Sequence, residues 1–534
     1  MASFDVPRNM PRNMPRQMNV EFSLPEIDAA RGTPSLMEAQ GTRSAHSRNR
    51  STSSGFVYMQ EDEDLSAYLE RVVSQFGLAL VPSYLQHAVG GEPPKAAKMH
   101  DIAALDGLRG WACLLVFNFH LLFTYTYHTH IGWGFAGQNF GLHQLPIFHM
   151  LISGHVMVAI FFVISGYVLS FRALKTIRSR NFDQTFTVLS SATFRRIFRL
   201  YIPSLVGLFC VFIAVRLHLF DYSRMIRDKG RVITGVNEQH PPHFRSTYKQ
   251  LWDLWKTVGR LMNFWDWSLF YNNYNPHLWT IPVEFRSSIV LFVTILATSR
   301  FTTKVRLGVE AVVLWFCIRY GRWDVVLFLS GLVLAEIDLI NGIWSGPTLM
   351  PEKPVDAGAL RQFYRRHEQT IWICLFVLGL YLGSSPNAGV NYTPGYVWLS
   401  RLIPKTYGEP HRFLQSIGAV LIVCSINNSK TIQKLFLNRL SQYVGQISYA
   451  FYIVHGPILH GLGYCITSTV WKYVGRNSSI QFMVGVVVTW IICFSLSLWL
   501  ADIFWRMVDL PSVRFARWLE TKLLAKTGPL HSSA

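Results

Sequence analysis

An all-α, polytopic membrane bundle of about ten helices is what this sequence predicts, and three observations predict it. Only 15% of the 534 residues are charged, whereas 50% are hydrophobic and 14% aromatic; soluble domains carry roughly 25% charge. From Leu105 onward, apolar runs of helix length recur near 103–127, 147–171, 197–217, 279–299, 305–320, 323–340, 369–386, 411–427, 441–464 and 480–505. Charge is distributed unevenly between them. The connection 172–196 holds six basic residues (Arg172, Lys175, Arg178, Arg180, Arg195, Arg196), and 128–146 holds none. Lys and Arg accumulate in short cytoplasmic loops, so both termini are expected in the cytoplasm, with the protein in the plasma membrane or an endomembrane.

The net charge of +19 lies within this membrane part, because residues 1–100 hold ten Lys and Arg against eleven Asp and Glu. Basic residues beside apolar spans report helix ends and contacts with anionic head groups or substrates, so no nucleic-acid partner is expected. The seven cysteines fall inside predicted spans without paired spacing, which suggests neither a disulfide framework nor a Cys zinc site.

In chain order, residues 1–100 read as a largely disordered cytoplasmic tail. It contains the repeat PRNMPRNMPRQM at 7–18 and too little apolar surface for a core. No cationic start followed by an apolar run opens the chain, so no cleaved signal peptide is expected. Within the tail, Leu65, Tyr68, Leu69, Val72, Val73 and Phe76 follow helical spacing, predicting a short amphipathic helix near 65–77, on the membrane or on the domain. Residues 101–507 form the membrane domain, and 508–534 a cytoplasmic C-terminal tail. The connection 218–278 faces away from the cytoplasm. Its aromatic stretch from Tyr248 to Tyr274 suits the interface, and sequons at Asn391 and Asn477 fall in outward loops.

The first span carries Asp106, Arg109 and His120. Arg109 and His120 are eleven residues apart; eleven steps of about 100° end roughly 20° from a whole number of turns, so both share a face. Asp106 lies one turn before Arg109 on that face. Polar groups in a membrane helix line a functional path or lock helices together, and both readings stand here. In the second span, Ser165 and Gly166 interrupt an aromatic run, to admit either a neighbouring helix or a substrate.

At the start of the third span, Arg196 and Arg199 lie one turn apart, suited to bidentate contact with phosphate or to anchoring at the membrane rim. The fourth opens NPHLWTIPVEFR, with Trp279 at the interface and Glu284 five residues in. That carboxylate either pairs with an arginine of another helix or positions a substrate or histidine. In the ninth, Gly445, Ser448, Tyr452 and His455 form a small and polar stripe that faces the bundle interior or a cavity. His455 and His460, five apart, fall on different faces, so no shared metal site is expected.

Taken in order, LDGLRG with His120, FFVISGYVLS, RRIFRLYIP, LWTIPVEF and GQISYAFYIVHGP resemble the signature segments of the acyltransferase 3 family of integral-membrane acyltransferases, especially its filamentous-fungal members. The resemblance spans roughly residues 100–507. It implies His120 as the catalytic histidine, Arg109 as the arginine preceding it, and Arg196 and Arg199 as the pair that handles the acyl donor. Where the family shows serine after the tryptophan and a Glu-Glu or Glu-Gln-Phe run, this chain has Thr280, Pro282 and Glu284-Phe285-Arg286.

The expected function is an O-acyltransferase moving an acetyl or other short acyl group from acyl-CoA to a hydroxyl of a small-molecule or glycosidic acceptor. Acyl-CoA is a co-substrate, and no bound cofactor or metal is expected. The expected catalytic set is His120, Arg109 and Glu284, with Ser165, Trp279, Ser448, Tyr452 and His455 in the substrate pocket. A proton-coupled transporter or a non-catalytic membrane scaffold are the alternatives from other classes. No internal repeat relates residues 100–300 to 300–500, which speaks against the transporter.

Overall fold

Each of the ten predicted apolar stretches is helical. The structure, a computed structural model, describes Gly77 and residues 80–86, 102–230, 232–342 and 359–524. Of the predicted tail, residues 1–100, only Gly77 and residues 80–86 are described, the latter including a short helix at Ser83–Gln86 whose Ser83 hydroxyl donates to Asp502; the rest of the tail, and all but Gly77 of the predicted amphipathic helix, lie outside the described residues. Among the described residues there is no strand. The helices are α1 (Ala103–Tyr125), α2 (Gly154–Arg178), α3 (Phe182–Arg216), α4 (Asp221–Asp228), α5 (Thr247–Met262), α6 (Thr280–Thr298), α7 (Thr303–Arg319), α8 (Trp323–Ile340), α9 (Ala359–Gly383), α10 (His411–Asn428), α11 (Arg439–Ile458), α12 (Tyr464–Val474), α13 (Ser479–Phe504) and α14 (Leu510–Leu524). Among the described residues, five segments qualify by length and composition to cross a membrane: Ala103–Tyr125, Gly154–Arg178, Phe182–Arg216, Pro276–Thr298 and Ser479–Leu524.

Local signals set the boundaries. The Asn181 side chain accepts from Gln184 N at 3.0 Å and starts α3, while Asn438 does the same for Ser441 N at 2.9 Å at the start of α11. Each satisfies a backbone donor that the first helical turn would otherwise leave unpaired. At α13, Ser478 and Gln481 cap each other's backbone reciprocally.

Helix pairs close where side chains vanish. A β-carbon on Gly110 would run into the Gly445 backbone, so α1 and α11 cross almost in contact. One on Gly166 would strike the Phe328 carbonyl, so α2 and α8 do likewise. Gly166 thus serves helix packing, while Ser165 beside it faces a cavity. Around these crossings lie three apolar clusters. One joins α1, α2, α8 and α10, a second joins α1, α11, α12 and α13, and a third joins α3, α5 and α6.

Two irregular segments position the site. The last turn of α1 leaves carbonyls without partners inside the helix, and the connection between α4 and α5 supplies them. Gly235 N donates to Thr124 O at 3.0 Å and Val236 N to Phe123 O at 2.8 Å, and the Thr234 hydroxyl donates to the Tyr125 carbonyl. Only glycine fits at 235, since a β-carbon there would meet the Phe123 carbonyl. This docking carries Glu238 into the bundle. The second segment is a π-helical turn, Trp505–Asp509, which joins α13 to α14 and lays α14 beside α3. Helix α5 is amphipathic. It buries Leu254 and Leu261 and exposes Tyr248, Trp252 and Trp255, as an in-plane interfacial helix does.

Candidate active site

A cavity of about 350 Å³ opens between α1, α2, α3, α6, α11 and α14. Its charged lining is Arg109, Arg196, Arg199 and Arg517 against Glu284 and Asp509. Four guanidiniums facing two carboxylates make it a site for an anion. Ser165, Thr280, Ser448, Tyr449 and Tyr452 supply its neutral polar groups.

The two arginines predicted as a pair do different work. Arg196 Nη2 lies 2.6 Å from Glu284 Oε1, and its Nε donates to Ser288 Oγ at 3.0 Å. Ser165 Oγ donates to the same Glu284 oxygen at 3.1 Å. Of the two readings of Glu284, the ion pair is therefore the one formed. Arg199, a turn later, is exposed and makes no ion pair or hydrogen bond among the described residues. Arg109 combines the two readings of its span. It reaches Asp106 at 3.6 Å, donates across to Ser448 Oγ and Gly445 O on α11 at 3.2 Å each, and lines the cavity.

At its inner end the cavity stops at Tyr452 and Thr280. The Tyr452 hydroxyl donates to the His277 carbonyl, and the Thr280 hydroxyl lies 2.6 Å from it. Behind this wall is a cluster of imidazoles. The ring centroids of His120 and His277 are 3.7 Å apart, those of His277 and His455 4.9 Å, and those of His120 and His455 5.5 Å. Glu238 closes it, with one carboxylate oxygen 3.1 Å from His277 Nε2, 2.9 Å from His460 Nε2 and 3.9 Å from His120 Nδ1. Burial alone would push the Glu238 carboxyl up, but His277 and His460 beside it hold it well below the usual carboxylate range.

These partners decide which nitrogens are free. A carboxylate only accepts, so His277 Nε2 carries a hydrogen; the Phe451 carbonyl, 3.1 Å from His455 Nδ1, fixes that hydrogen likewise. His277 Nδ1, His455 Nε2 and His120 Nδ1 are buried without partners. Such a centre can take up a proton. Its donor atoms could also hold a metal ion: those of His120, His277 and His455 lie within 4.8 Å of one another, as do those of Glu238, His277 and His460. His455 and His460 fall into different sets, as their spacing implied.

On the other side of Phe119 lies a second cluster of imidazoles. Phe119 contacts His130 and His155 at ring distances of 5.7 and 5.3 Å, and His155 contacts His411 at 4.8 Å. His130 Nε2, His155 Nδ1 and Gln415 Oε1 there are buried without hydrogen-bond partners, and His411 Nε2 lies 3.7 Å from Glu409 Oε2.

Of the residues expected from the sequence, Arg109, Ser165, Arg196, Arg199, Glu284, Ser448 and Tyr452 meet at the cavity, and His120 and His455 meet behind it. Trp279 is buried against Trp323 and under the Arg412 guanidinium and does not line the cavity. Sequence reasoning missed Glu238, His277, His460, Thr280 and Arg517. His277 carried a signal, an imidazole three residues before Thr280 at a span entrance; Glu238, in a long aperiodic connection, carried none.

Fold and site together define an integral-membrane acyltransferase. The chain matches the acyltransferase 3 family, described as an acyltransferase domain, over residues 102–506, and belongs to it. It is 33% identical over 461 residues to O-acetyltransferase PaAT-1 of Phomopsis amygdali, covering 83% of this chain and 88% of that one. It is 26% identical to acyltransferase clz18 of Cochliobolus lunatus, over 77% of this chain and 93% of the relative. To acyltransferase R4 of a Phoma species it is also 26% identical, over 77% and 94%. No solved structure matches.

Proposed function

We propose that this acyltransferase moves an acetyl or other short acyl group from acyl-CoA to a hydroxyl of a small-molecule or glycosidic acceptor. One observation carries the reading: an arginine-lined cavity ends, at Tyr452 and Thr280, against a carboxylate-backed imidazole cluster. The donor's phosphates stay with the arginines, and its pantetheine arm brings the thioester to the wall. The acceptor approaches from the imidazole side of the wall, where His130, His155 and His411 form a second polar cluster. Its hydroxyl oxygen attacks the thioester carbonyl carbon while His120 takes the hydroxyl proton. The C–S bond then breaks, and the CoA thiolate recovers that proton. The acetyl group is favoured by the name of the relative from Phomopsis amygdali.

The test is turnover by purified protein. Acetyl-CoA should bind, and its thioester should be consumed when extract from the producing cells is added, with one new acylated metabolite seen by mass spectrometry. Protein that neither binds acyl-CoA nor consumes it would sink the reading.

Arg196 and Arg199 are expected to fail differently. Arg199→Ala should keep the parental Tm and raise the donor KM roughly 10- to 150-fold, the worth of one charge-assisted contact to phosphate, with lysine restoring part. Arg196→Ala strands the Glu284 carboxylate, so stability should fall by on the order of 3 kcal/mol. Equal Tm values and equal donor KM values in the two variants would contradict this division.

The charge asymmetry of the connections supports cytoplasmic termini, an orientation that would set the arginine cavity on the cytoplasmic side. Tags at the two ends of the chain should both be digested by protease added to cytoplasm-side-out vesicles. Protection of either tag would refute the orientation.

A further inference from the structure

We infer that the C-terminal helix α14 forms half of the donor site, with Arg517 and Arg199 together holding the phosphates of the nucleotide end of acyl-CoA. This rests on the reading that acyl-CoA is the donor.

The argument begins with which guanidiniums are spare. Arg196 is committed to Glu284 at 2.6 Å, and Arg109 to Asp106, Ser448 and Gly445. Arg199 and Arg517, the cavity's other two cations, are exposed and make no ion pair or hydrogen bond among the described residues. Two guanidiniums without ion pairs that line one cavity are suited to hold an anion of more than one charge between them. Asp509, the cavity's second carboxylate, makes no ion pair among the described residues, although it acts electrostatically on Arg199 and Arg109 and so offsets part of the Arg199 charge without a direct contact. The pyrophosphate and the ribose phosphate of CoA are anions of the required kind.

Next comes how the chain delivers Arg517. Trp505, Asp509, Val513 and Arg517 all line the cavity and recur at four-residue steps. One face of the C-terminal segment is thus turned to the cavity from Trp505 to Arg517. The π-helical turn at Trp505–Asp509 produces that aim by re-phasing the helix where it leaves α13. Two contacts then pin α14 to α3. Arg195 Nε lies 3.3 Å from Glu520 Oε2, and the Phe198 and Phe515 rings meet at 6.0 Å. Arg195 precedes Arg199 by one turn, and Glu520 follows Arg517 by three residues. The pins therefore hold the stretch of α14 that bears Arg517 against the stretch of α3 that bears Arg199, and both arginines line the cavity. An arginine that merely anchored the tail at the membrane surface would need neither the pins nor the re-phasing.

Titration calorimetry of the full-length protein in detergent, with CoA and separately with pantetheine, which lacks the nucleotide and its phosphates, separates the cases. Arg517→Ala should weaken CoA binding roughly 10- to 150-fold, and Arg517→Lys less, with both variants keeping the parental Tm. Pantetheine affinity should not change in either. Arg514→Ala, an exposed arginine of the same helix that does not line the cavity, should bind CoA as the parent does. Parental CoA affinity in Arg517→Ala, or equal weakening for CoA and pantetheine, would overturn the inference while leaving the donor assignment standing. Absence of CoA binding by the parent would overturn the donor assignment, and the inference with it.

Discussion

His120→Ala should insert and fold like the parent, bind acyl-CoA with parental affinity, and transfer the acyl group roughly 10²–10⁴ times more slowly. An alcohol at neutral pH is a poor nucleophile, and it becomes a good one only if its proton leaves as the new C–O bond forms. Imidazole, whose ordinary pKa is about 6.5, is the side chain best matched to accept that proton near neutrality. His120 is suitably placed for it. Its Nδ1 is buried without a partner, and its ring lies among His277, His455, Phe119 and Phe123. Since that nitrogen holds no hydrogen bond, removing the ring breaks none there, and folding should be spared. Donor binding should also survive, because His120 does not line the arginine cavity. His120→Asn, which keeps polarity but not basicity, should lose transfer to the same degree. A well-folded His120→Ala enzyme with near-parental turnover would leave the ring a packing element between Phe119 and His277.

What periodicity can see was legible in the sequence. The common face of Asp106, Arg109 and His120, and the Ser448, Tyr452 and His455 stripe, follow from helical geometry alone, and the structure turns both toward one site. Pairing between distant segments was not legible. That Arg196 would be taken by Glu284, 88 residues away, depends on how α3 and α6 pack, which no local pattern encodes. The partner of His120 shows the same limit. Of the polar groups that spans present, His455 does come beside His120, at 5.5 Å between ring centroids, whereas the carboxylate a span presents, Glu284, is taken by Arg196. The carboxylate beside His120 is instead Glu238, in a connection with no periodicity. Gly235 and Val236 bring it there by satisfying the last carbonyls of α1. Trp279 illustrates the converse. A tryptophan at a span entrance normally marks the interface, but here Trp279 packs on Trp323 of α8 and under Arg412 of α10, which bury it.

Glu238→Gln should lower kcat by on the order of 10²–10⁴-fold, with the donor KM unchanged. Glutamine has the shape of glutamate and can still accept from one imidazole, so what is removed is the negative charge. That charge opposes the cost of placing a proton on a buried imidazole cluster, and without it the proton-accepting step is uphill. The donor site should not notice, because Glu238 lies behind the Tyr452–Thr280 wall and is no part of the arginine cavity. The pH dependence has a definite sign. Glu238 is held well below the usual carboxylate range, so it is ionised throughout neutral and mildly acidic conditions. Its contribution to stability is present above the unfolded value of about 4.3 and is lost only as pH falls through the lower folded value. Any acid limb of the rate profile near neutrality therefore belongs to the imidazoles. Removing the anion disfavours their protonation, so in Glu238→Gln that limb should move to lower pH even as the plateau drops. A structural role alone would lower Tm and leave the position of the limb unchanged. Steady-state rates of parent and variant across the pH range, with Tm measured alongside, decide it: a Glu238→Gln enzyme with parental kcat and an unmoved acid limb would remove Glu238 from the proton-handling centre.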